Sequence, residues 1–267
     1  MGASAPYLVM AKIDKPSLAS RIDAIEIPQE RRPHLGASML GHNCKRYLWY
    51  SFHWAYENHV HAKLNRIFRI GDATEDLIVA DLARVGMPVT DSQVRVVGYL
   101  GHGGGSIDGR IGDSLFEAKS MNVSNFNKVK KQGVKAGFPT YYTQVQYYMG
   151  KLGLNTCIFV VMNKNTQELY VETIDFDGDK YAEAQATEKA IIDGDLEDFK
   201  RIGMNASWHE CRFCSALDIC QLDIPFQVNC RTCEHSLATL DGMWVCEKKG
   251  QMLDMKQQLE ACKFYKR

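Results

Sequence analysis

The chain has 267 residues, enough for one large domain or for one domain with a small addition. Lys and Arg together number 32, Asp and Glu together also number 32, and the formal net charge is zero. This balance excludes binding to nucleic acid through overall charge, so any such binding needs a local basic groove. The sequence contains neither a secretory h-region nor a long apolar span, which predicts a cytosolic protein with no membrane partner.

Helical and alternating patterns of apolar residues predict the secondary structure in chain order. The predicted helices lie at 38–55, 70–86, 139–152 and 178–193. The predicted strands lie at 92–100, 105–111, 114–119, 156–163 and 168–175, and residues 120–138 are expected to form a loop or a short helix. This order of elements implies an α/β fold (an α+β arrangement), in which helices flank a mixed sheet.

Pro225 separates two groups of cysteines, and we place the main domain boundary near residues 222–228. The expected organisation is an N-terminal extension (1–34), a core (35–224) and a small cysteine-rich, metal-binding appendage (225–267).

Three charged residues form the most informative motif. Asp108 ends one apolar segment, and Glu117 and Lys119 lie in the next, with a turn at Gly112 and Asp113 between them. Residues two apart on a strand share a face, so Glu117 and Lys119 project together. If the hairpin places Asp108 opposite them, two carboxylates and an ammonium meet. Such a set suits a divalent cation, a water molecule and a phosphodiester.

Two further segments could complete this site. Gly71 and Glu75 lie near the start of a predicted helix, and Glu75 could bind a first or a second metal ion, directly or through water. The carbonyl of Ala118 could be a third ligand. Gln144 and Tyr148 lie one turn apart on a later predicted helix. Gln144 could hydrogen-bond the lysine, the water or the phosphate.

These motifs resemble those of the PD-(D/E)XK nuclease superfamily, above all its lambda-exonuclease (YqaJ-type) and RecB-like branches. The family's helical Gly-x-x-x-Glu matches Gly71 and Glu75. Its strand acid matches Asp108, and its (D/E)-x-Lys motif matches Glu117 and Lys119. The resemblance therefore implies metal ligands at the three acids and a catalytic lysine.

The family's later glutamine motif matches TQVQYYM, which contains Gln144, and Ile107 stands where the family name has Pro. The resemblance covers roughly residues 35–225 and implies a restriction-endonuclease-like core. It also implies a DNA exonuclease that uses Mg²⁺ or Mn²⁺ and works from DNA ends in the 5′→3′ direction. Recombination, repair and phage DNA metabolism are the implied settings, in a bacterial or phage-infected cytoplasm.

Other functions stay open on the sequence. An endonuclease and an end-trimming nuclease of the CRISPR-adaptation type would share the same chemistry. A catalytically silent nucleic-acid-binding scaffold is the alternative of another class, although a scaffold has no need of Asp108, Glu117 and Lys119 together. A homo-oligomer and a single-strand annealing or recombination partner protein are further possibilities.

A basic run follows the Glu-x-Lys strand. It contains Lys128, Lys130, Lys131 and Lys135. The run is interpreted either as a solvated loop or as a contact to DNA phosphates, with equal weight. Tyr148 is a further candidate for DNA contact.

Nine cysteines need an explanation, because disulfides are rare in cytosolic proteins and clustered cysteines more often bind metal. Cys157, in the apolar segment TCIFVVM, is expected to be a buried small residue. The first group comprises Cys44, Cys211, Cys214 and Cys220. Its spacing resembles that of the iron–sulfur nucleases of the same superfamily, of AddB and CRISPR-adaptation type.

That resemblance implies a [4Fe–4S] cluster held by four thiolates, which would clamp the two ends of the core together. A four-thiolate zinc site is the alternative that the spacing leaves open. Cys44 could also be an ordinary buried cysteine.

The second group comprises Cys230, Cys233, Cys246 and Cys262. A hairpin turn at Asp241-Gly242 would deliver its third member, and a short helix at 250–262 would deliver its last. Four thiolates on about forty residues suit structural zinc, because so small a unit cannot fold on its own core. His235 could replace one cysteine, and free thiols are the alternative.

Overall fold

The computed structural model describes residues 15–27, 31–57 and 60–267, so residues 1–14 and 28–30 of the predicted N-terminal extension lie outside it. Helices α1 to α8 occupy Lys15–Asp23, Lys45–Phe52, Ala62–Arg84, Val123–Gly137, Pro139–Leu152, Gly178–Asp193, Leu217–Gln221 and Met255–Leu259. Strands β1 to β12 occupy Glu26–Ile27, Leu35–Gly36, Val60–His61, Arg95–Val97, Gly103–Ser106, Gly109–Ile111, Ser114–Met121, Thr156–Asn163, Leu169–Asp175, Ser236–Ala238, Trp244–Cys246 and Gln251–Leu253.

The largest sheet has the strand order β6-β7-β8-β9. Strands β6 and β7 form an antiparallel hairpin, in which Ile111 pairs with Ser114. Strand β8 runs parallel to β7, and β9 returns antiparallel to β8. The predicted mixed sheet flanked by helices is confirmed.

The two faces of β7 pack against different helices. Phe116 and Ala118 form an apolar cluster with Ile78 of α3 on one face. On the other face, Leu115 joins the main hydrophobic core, which includes Val145 of α5. Odd-numbered and even-numbered residues of β7 therefore face opposite sides, as the period of a strand requires. Cys157 on β8 is fully buried in the main core, as predicted.

Helices α5 and α6 have the predicted bounds, whereas other elements differ. The helix predicted at 38–55 is shorter, because a 3₁₀ turn at Ala37–Met39 precedes α2. Gly41 lies between them, where an added Cβ would be 2.7 Å from the backbone of Thr140. Helix α3 begins eight residues before the predicted start at residue 70.

Within residues 120–138, where a loop or short helix was predicted, Val123–Gly137 form helix α4, which is interrupted at Gly133. Asn122 caps its first turn by accepting the backbone N–H of Asn125 at 2.8 Å. Phe126 and Val129 are fully buried on one face of the helix. The lysines around these apolar residues, Lys128, Lys130 and Lys131, conceal the helical pattern in the sequence.

The strand predicted at 105–111 is divided between two sheets. Strand β5 pairs with β2 and β4, while β6 belongs to the largest sheet. Gly104 lies within β5, where its φ of +117° and the 2.0 Å from an added Cβ to the carbonyl oxygen of Val96 require glycine. Ile107 and Asp108 form the connection between the two sheets.

The C-terminal segment is built around the small antiparallel sheet β10-β11-β12. The predicted hairpin at Asp241-Gly242 is present between β10 and β11. The helix predicted at 250–262 is wrong over its first part, which forms β12, and only the short α8 follows. Trp244 and Leu253 are buried in the same core as Tyr50 of α2, so this segment packs into the main body of the protein.

None of the helices in the described part of the chain combines the length and hydropathy needed to span a membrane.

Candidate active site

The β6–β7 hairpin places Asp108 beside Glu117. Gly109 pairs with Phe116. The next residues away from the turn, Asp108 and Glu117, therefore lie opposite one another. Oδ2 of Asp108 accepts the backbone N–H of Ala118 at 2.8 Å. This hydrogen bond fixes the aspartate carboxylate across the strand that carries the Glu-x-Lys motif.

Glu117 is the most enclosed acid of the site, with a relative exposure of 0%. Its Oε1 accepts hydrogen bonds from Nζ of Lys119 and, at 3.0 Å, from Nε2 of Gln144 on α5. Its Oε2 is buried and has no hydrogen-bond partner among the described residues. Burial raises the pKa of Glu117 to about 7; the Lys119 ammonium opposes this rise and the Asp108 carboxylate adds to it.

Lys119 shares the face of Glu117, as the strand period predicts. Burial alone would lower the pKa of Lys119, but the carboxylates of Glu117 and Asp108 outweigh it, so the pKa is raised. The ammonium also lies 5.5 Å from the ring centre of Tyr141 on α5. Lys119 is therefore a fixed positive charge between two acids and an aromatic ring.

Glu75 reaches the same region from α3. Burial raises the pKa of Glu75, and the neighbouring carboxylate of Asp108 adds to this effect. Its Oε1 accepts a 3.1 Å hydrogen bond from Nε2 of Gln93. Gln93 has a φ of +57°, in the left-handed region. An added Cβ at Gly71 would meet nothing within 4 Å, so close packing does not require glycine there.

Gln93 and Gly105 are contributors that the sequence analysis missed. Gly105 makes room for Tyr148, because an added Cβ would lie 2.4 Å from the tyrosine hydroxyl. Tyr148 is 3% exposed. Burial raises its pKa, and the negative charge of Glu117 adds to this effect. The sequence around Gln93 carries no pattern that predicts its role, whereas the run of glycines before Asp108 indicates a close approach of the backbone.

The two glutamines of the TQVQYYM segment have different surroundings. Gln144 contacts the acid cluster through Glu117. Gln146 is fully buried elsewhere, where it donates to the carbonyl of Asp175 at 3.0 Å and accepts the backbone N–H of Asp177 at 2.7 Å. Gln146 thus ties α5 to the end of β9.

The basic run lies on the exposed side of α4. Lys135 forms an ion pair with Asp177 at 2.9 Å, and Lys130 lies 3.9 Å from a carboxylate oxygen of Glu168. Nζ of Lys128 lies 4.9 Å from the ring centre of Phe138. Two lysines of the run therefore already have acidic partners.

The first group of cysteines converges on one cleft. Its lining includes Cys44, Cys211, Cys214 and Cys220. Cys44 is the N-cap of α2, and Cys220 lies in α7. Burial raises the pKa of Cys44, and the thiols of Cys220 and Cys211 act in the same direction because they are close.

The second group of cysteines lines another cleft in the C-terminal segment. This cleft is bordered by Cys230, Cys233, Cys246 and Cys262, with His235 also in the lining. Burial raises the pKa of Cys230, and the neighbouring Cys233, Cys262 and Cys246 thiols add to this effect. Across the described residues, no three or more His, Cys, Asp or Glu side chains are already arranged to hold a metal ion.

Among solved structures, the chain is similar to the alkaline exonuclease LHK-Exo from Laribacter hongkongensis, with 21% identity over 63% of this chain and 90% of that chain and a TM-score of 0.48. The complex of LHK-Exo with dAMP has the same identity and coverage and a TM-score of 0.49. A third structure, that of SSO0001, is 15% identical over 77% of this chain and 93% of that chain, with a TM-score of 0.46. No protein-family model and no curated protein matches the chain.

Proposed function

We propose that the chain is a divalent-metal-dependent deoxyribonuclease of the PD-(D/E)XK superfamily, and that it acts as an exonuclease on DNA ends. The observation that carries this proposal is the arrangement around Glu117. Its Oε1 is engaged by Lys119 and Gln144, while its buried Oε2 has no hydrogen-bond partner among the described residues. A buried carboxylate oxygen without a partner is costly in a site with no further function.

A hard divalent cation fits this site because its donors are carboxylate oxygens. Asp108 and Glu117 would hold Mg²⁺ or Mn²⁺, with the carbonyl of Ala118 as a third ligand and Glu75 as a further acid. A bound cation supplies a Lewis acid that lowers the pKa of water and offsets charge on the phosphate.

The side chains of the protein then divide the remaining work. Lys119 orients the attacking water or offsets the negative charge that develops on the phosphate. Gln144 positions Glu117 through its 3.0 Å hydrogen bond, which engages Oε1 of the glutamate. Glu75 adds negative charge on the side of Asp108, where a second cation or a water could be held.

The preference for an exonuclease rests on the resemblance of the α5 sequence TQVQYYM to the lambda-exonuclease branch. The same resemblance supports linear DNA as substrate, with attack in the 5′→3′ direction. An endonuclease and an end-trimming nuclease of the CRISPR-adaptation type remain the alternatives within this chemistry. A silent nucleic-acid-binding scaffold is the alternative outside it.

We also propose that the cleft with Cys44 holds a [4Fe–4S] cluster and that the C-terminal cleft holds zinc. Four thiols line the first cleft, which matches the four thiolates of such a cluster. Anaerobically purified protein would then contain iron and sulfide and absorb broadly at about 400 nm. Colourless, iron-free protein would instead leave the four-thiolate zinc site as the alternative at this cleft.

The function is tested with linear duplexes labelled at either the 5′ or the 3′ end and with a covalently closed circle of the same sequence. With Mg²⁺ or Mn²⁺, we expect the linear duplexes to be degraded, the 5′ label to be released first and the closed circle to stay intact. Failure to degrade DNA with either metal would overturn the nuclease proposal. Cleavage of the closed circle would support the endonuclease instead.

A further inference from the structure

Helix α2 begins at a cysteine of the first group and ends at a residue that contacts the turn carrying Cys230 and Cys233. Cys44 is its N-cap residue, and the sulfur accepts a backbone N–H from the first turn at 3.4 Å. At the other end, the carbonyl of Phe52 accepts a 3.1 Å hydrogen bond from Arg231. Arg231 lies between Cys230 and Cys233 in the sequence. The eight residues of α2 therefore lie between Cys44 and the contact with Arg231.

The guanidinium of Arg231 is buried where the C-terminal segment meets the core, and the residue is 2% exposed. It stacks on Trp54 at 3.7 Å and on Trp244 at 4.8 Å, measured from Cζ to the ring centres. It donates to the carbonyl of Pro33 at 3.0 Å and to Oε1 of Gln258 at 2.9 Å. Among the described residues, none of its hydrogen-bond partners is a carboxylate. A buried cation of this kind is stable only while its donors stay matched to their acceptors.

The backbone around Arg231 is held in a short 3₁₀ turn, Cys230–Thr232. The side chain of Asn229 accepts the backbone N–H of Arg231 at 2.8 Å and donates to the carbonyl of Trp54 at 3.0 Å. This turn therefore determines where the guanidinium lies. The thiols of Cys230 and Cys233, one on each side of Arg231, both border the C-terminal cleft.

The other two cysteines of that cleft come from separate pieces of chain. Cys246 ends the three-residue strand β11, and Cys262 follows the five-residue helix α8. Strands and helices this short are marginal by themselves and need a cross-link or a larger core. Four thiols around one cleft are the donor set that structural zinc prefers, and zinc would join the three pieces.

We propose that zinc bound in the C-terminal cleft holds the Cys230–Cys233 turn, and that this turn, through Arg231, fixes the C-terminal end of α2. Zinc binding thereby stabilises the N-cap at Cys44 as well, because α2 is one short cooperative helix. The second cysteine group is thus a structural partner of the first. This inference is independent of the nuclease proposal, since its test uses no DNA.

The test combines zinc analysis with hydrogen–deuterium exchange of the peptide that covers residues 45–52. Wild-type protein is expected to carry about one equivalent of zinc, which a zinc-selective chelator removes. Removal is expected to accelerate exchange in α2 by about tenfold. Because this comparison uses the intact wild-type chain, it does not depend on a variant that folds.

Two variants separate the steps. Cys233→Ser is expected to lose zinc and to show fast exchange in α2. Arg231→Met is expected to keep zinc, because all four thiols remain, and yet to show the same fast exchange, because the hydrogen bonds of Arg231 to Phe52, Pro33 and Gln258 are lost. Leu237→Thr, at a position exposed on the same small sheet, is the matched control and should match the wild type in both measurements.

Each outcome decides one part of the inference. Wild-type protein without zinc, when purified in zinc-containing medium, would overturn the zinc site. Zinc removal that leaves exchange in α2 unchanged would overturn the coupling, as would Arg231→Met with wild-type exchange. Wild-type protein that shows the expected zinc content and exchange but has no nuclease activity would instead count against the proposed function.

Discussion

Gln144 on α5 donates its side-chain amide to Oε1 of Glu117 on β7 over 3.0 Å. The same oxygen accepts from Lys119, whereas Oε2 of Glu117 is buried with no hydrogen-bond partner among the described residues. The two oxygens of one carboxylate thus have separate surroundings. The interior of the protein engages one of them, and the proposed cation would engage the other.

Lys119→Ala is expected to lower kcat for DNA hydrolysis by a factor of about 100 to 1000, because a fixed charge beside the phosphate is lost. KM should change little if Lys119 acts mainly in the transition state. Steady-state rates on a labelled duplex check this, with Lys200→Ala as the matched control at an exposed position. A variant that keeps most of its activity would remove Lys119 from the mechanism.

The two glutamines of α5 should respond in opposite ways. Gln144→Ala is expected to reduce nuclease activity, with a small effect on unfolding, because its contact is to Glu117. Gln146→Ala should lower the free energy of unfolding by about 1–3 kcal/mol, because the backbone groups of Asp175 and Asp177 lose their buried partner. Chemical denaturation and rate measurements on both variants distinguish the roles. The reverse pattern would contradict this assignment.

Gly105→Ala is expected to cost about 1–3 kcal/mol of folding free energy, since the new Cβ would lie 2.4 Å from the hydroxyl of Tyr148. Tyr148→Phe removes that hydroxyl, so the double variant should recover part of the loss. A double-mutant cycle of unfolding free energies measures the recovery. Strict additivity of the two changes would show that the hydroxyl does not limit space at Gly105.

Acid should destabilise the protein through His53. Burial lowers the pKa of His53 to about 3, with the charge of Arg231 acting in the same direction. The unfolded state then binds more protons than the folded state below an unfolded pKa of about 6.5. Stability is present above that pH and falls by up to about 1.4 kcal/mol per pH unit towards the folded value.

His53→Phe is the test of this sign, because it keeps an aromatic ring against Trp49, whose ring centre lies 3.9 Å away. Its unfolding free energy should depend less steeply on pH between about 4 and 6.5 than that of the wild type. Part of the slope should persist, because burial also lowers the pKa values of His34 and His102. Equal slopes in both proteins would contradict a neutral, buried His53.

DNA binding should separate the lysines of α4. If the helix contacts phosphates, Lys131→Ala should reduce the slope of log affinity against log salt by about one. Lys135→Ala should change this slope less, because Lys135 is paired with Asp177 at 2.9 Å. Binding is measured by fluorescence anisotropy with Ca²⁺ in place of Mg²⁺. Unchanged slopes in both variants would support the solvated interpretation of the basic run.

The sequence predicted the sheet and the hairpin well because their patterns are local. The period-2 alternation places Glu117 and Lys119 on one face, and two turn residues determine the pairing of β6 with β7. The contact between Glu117 and Gln144 spans 27 positions and was not predicted, because the expected partners of Gln144 were Lys119, the water and the phosphate. The partner that Gln144 takes depends on how α5 packs on the sheet.

Sequence patterns did not predict the contacts between side chains and the backbone of distant segments. Glu188 lies in the correctly predicted helix α6, yet its carboxyl group is buried against Gly98 and Gly103 and accepts from the hydroxyl of Tyr147 at 2.6 Å. Neither glycine lies near Glu188 in the sequence. The position of Arg231 in the core is similar, because the cysteines beside it suggested only an appendage. Such contacts depend on how distant segments meet.

The pairing of β6 with β7 also links foldability to chemistry. A slip of one residue would turn Glu117 and Lys119 towards α3 and would move Phe116 out of its apolar cluster. Packing on both faces of β7 therefore destabilises the misregistered strand, whether or not substrate is bound. The same strand must therefore pack well and orient Glu117 and Lys119 correctly. Substitutions that disturb the packing of β7 are expected to lower the rate of reaction as well as the stability.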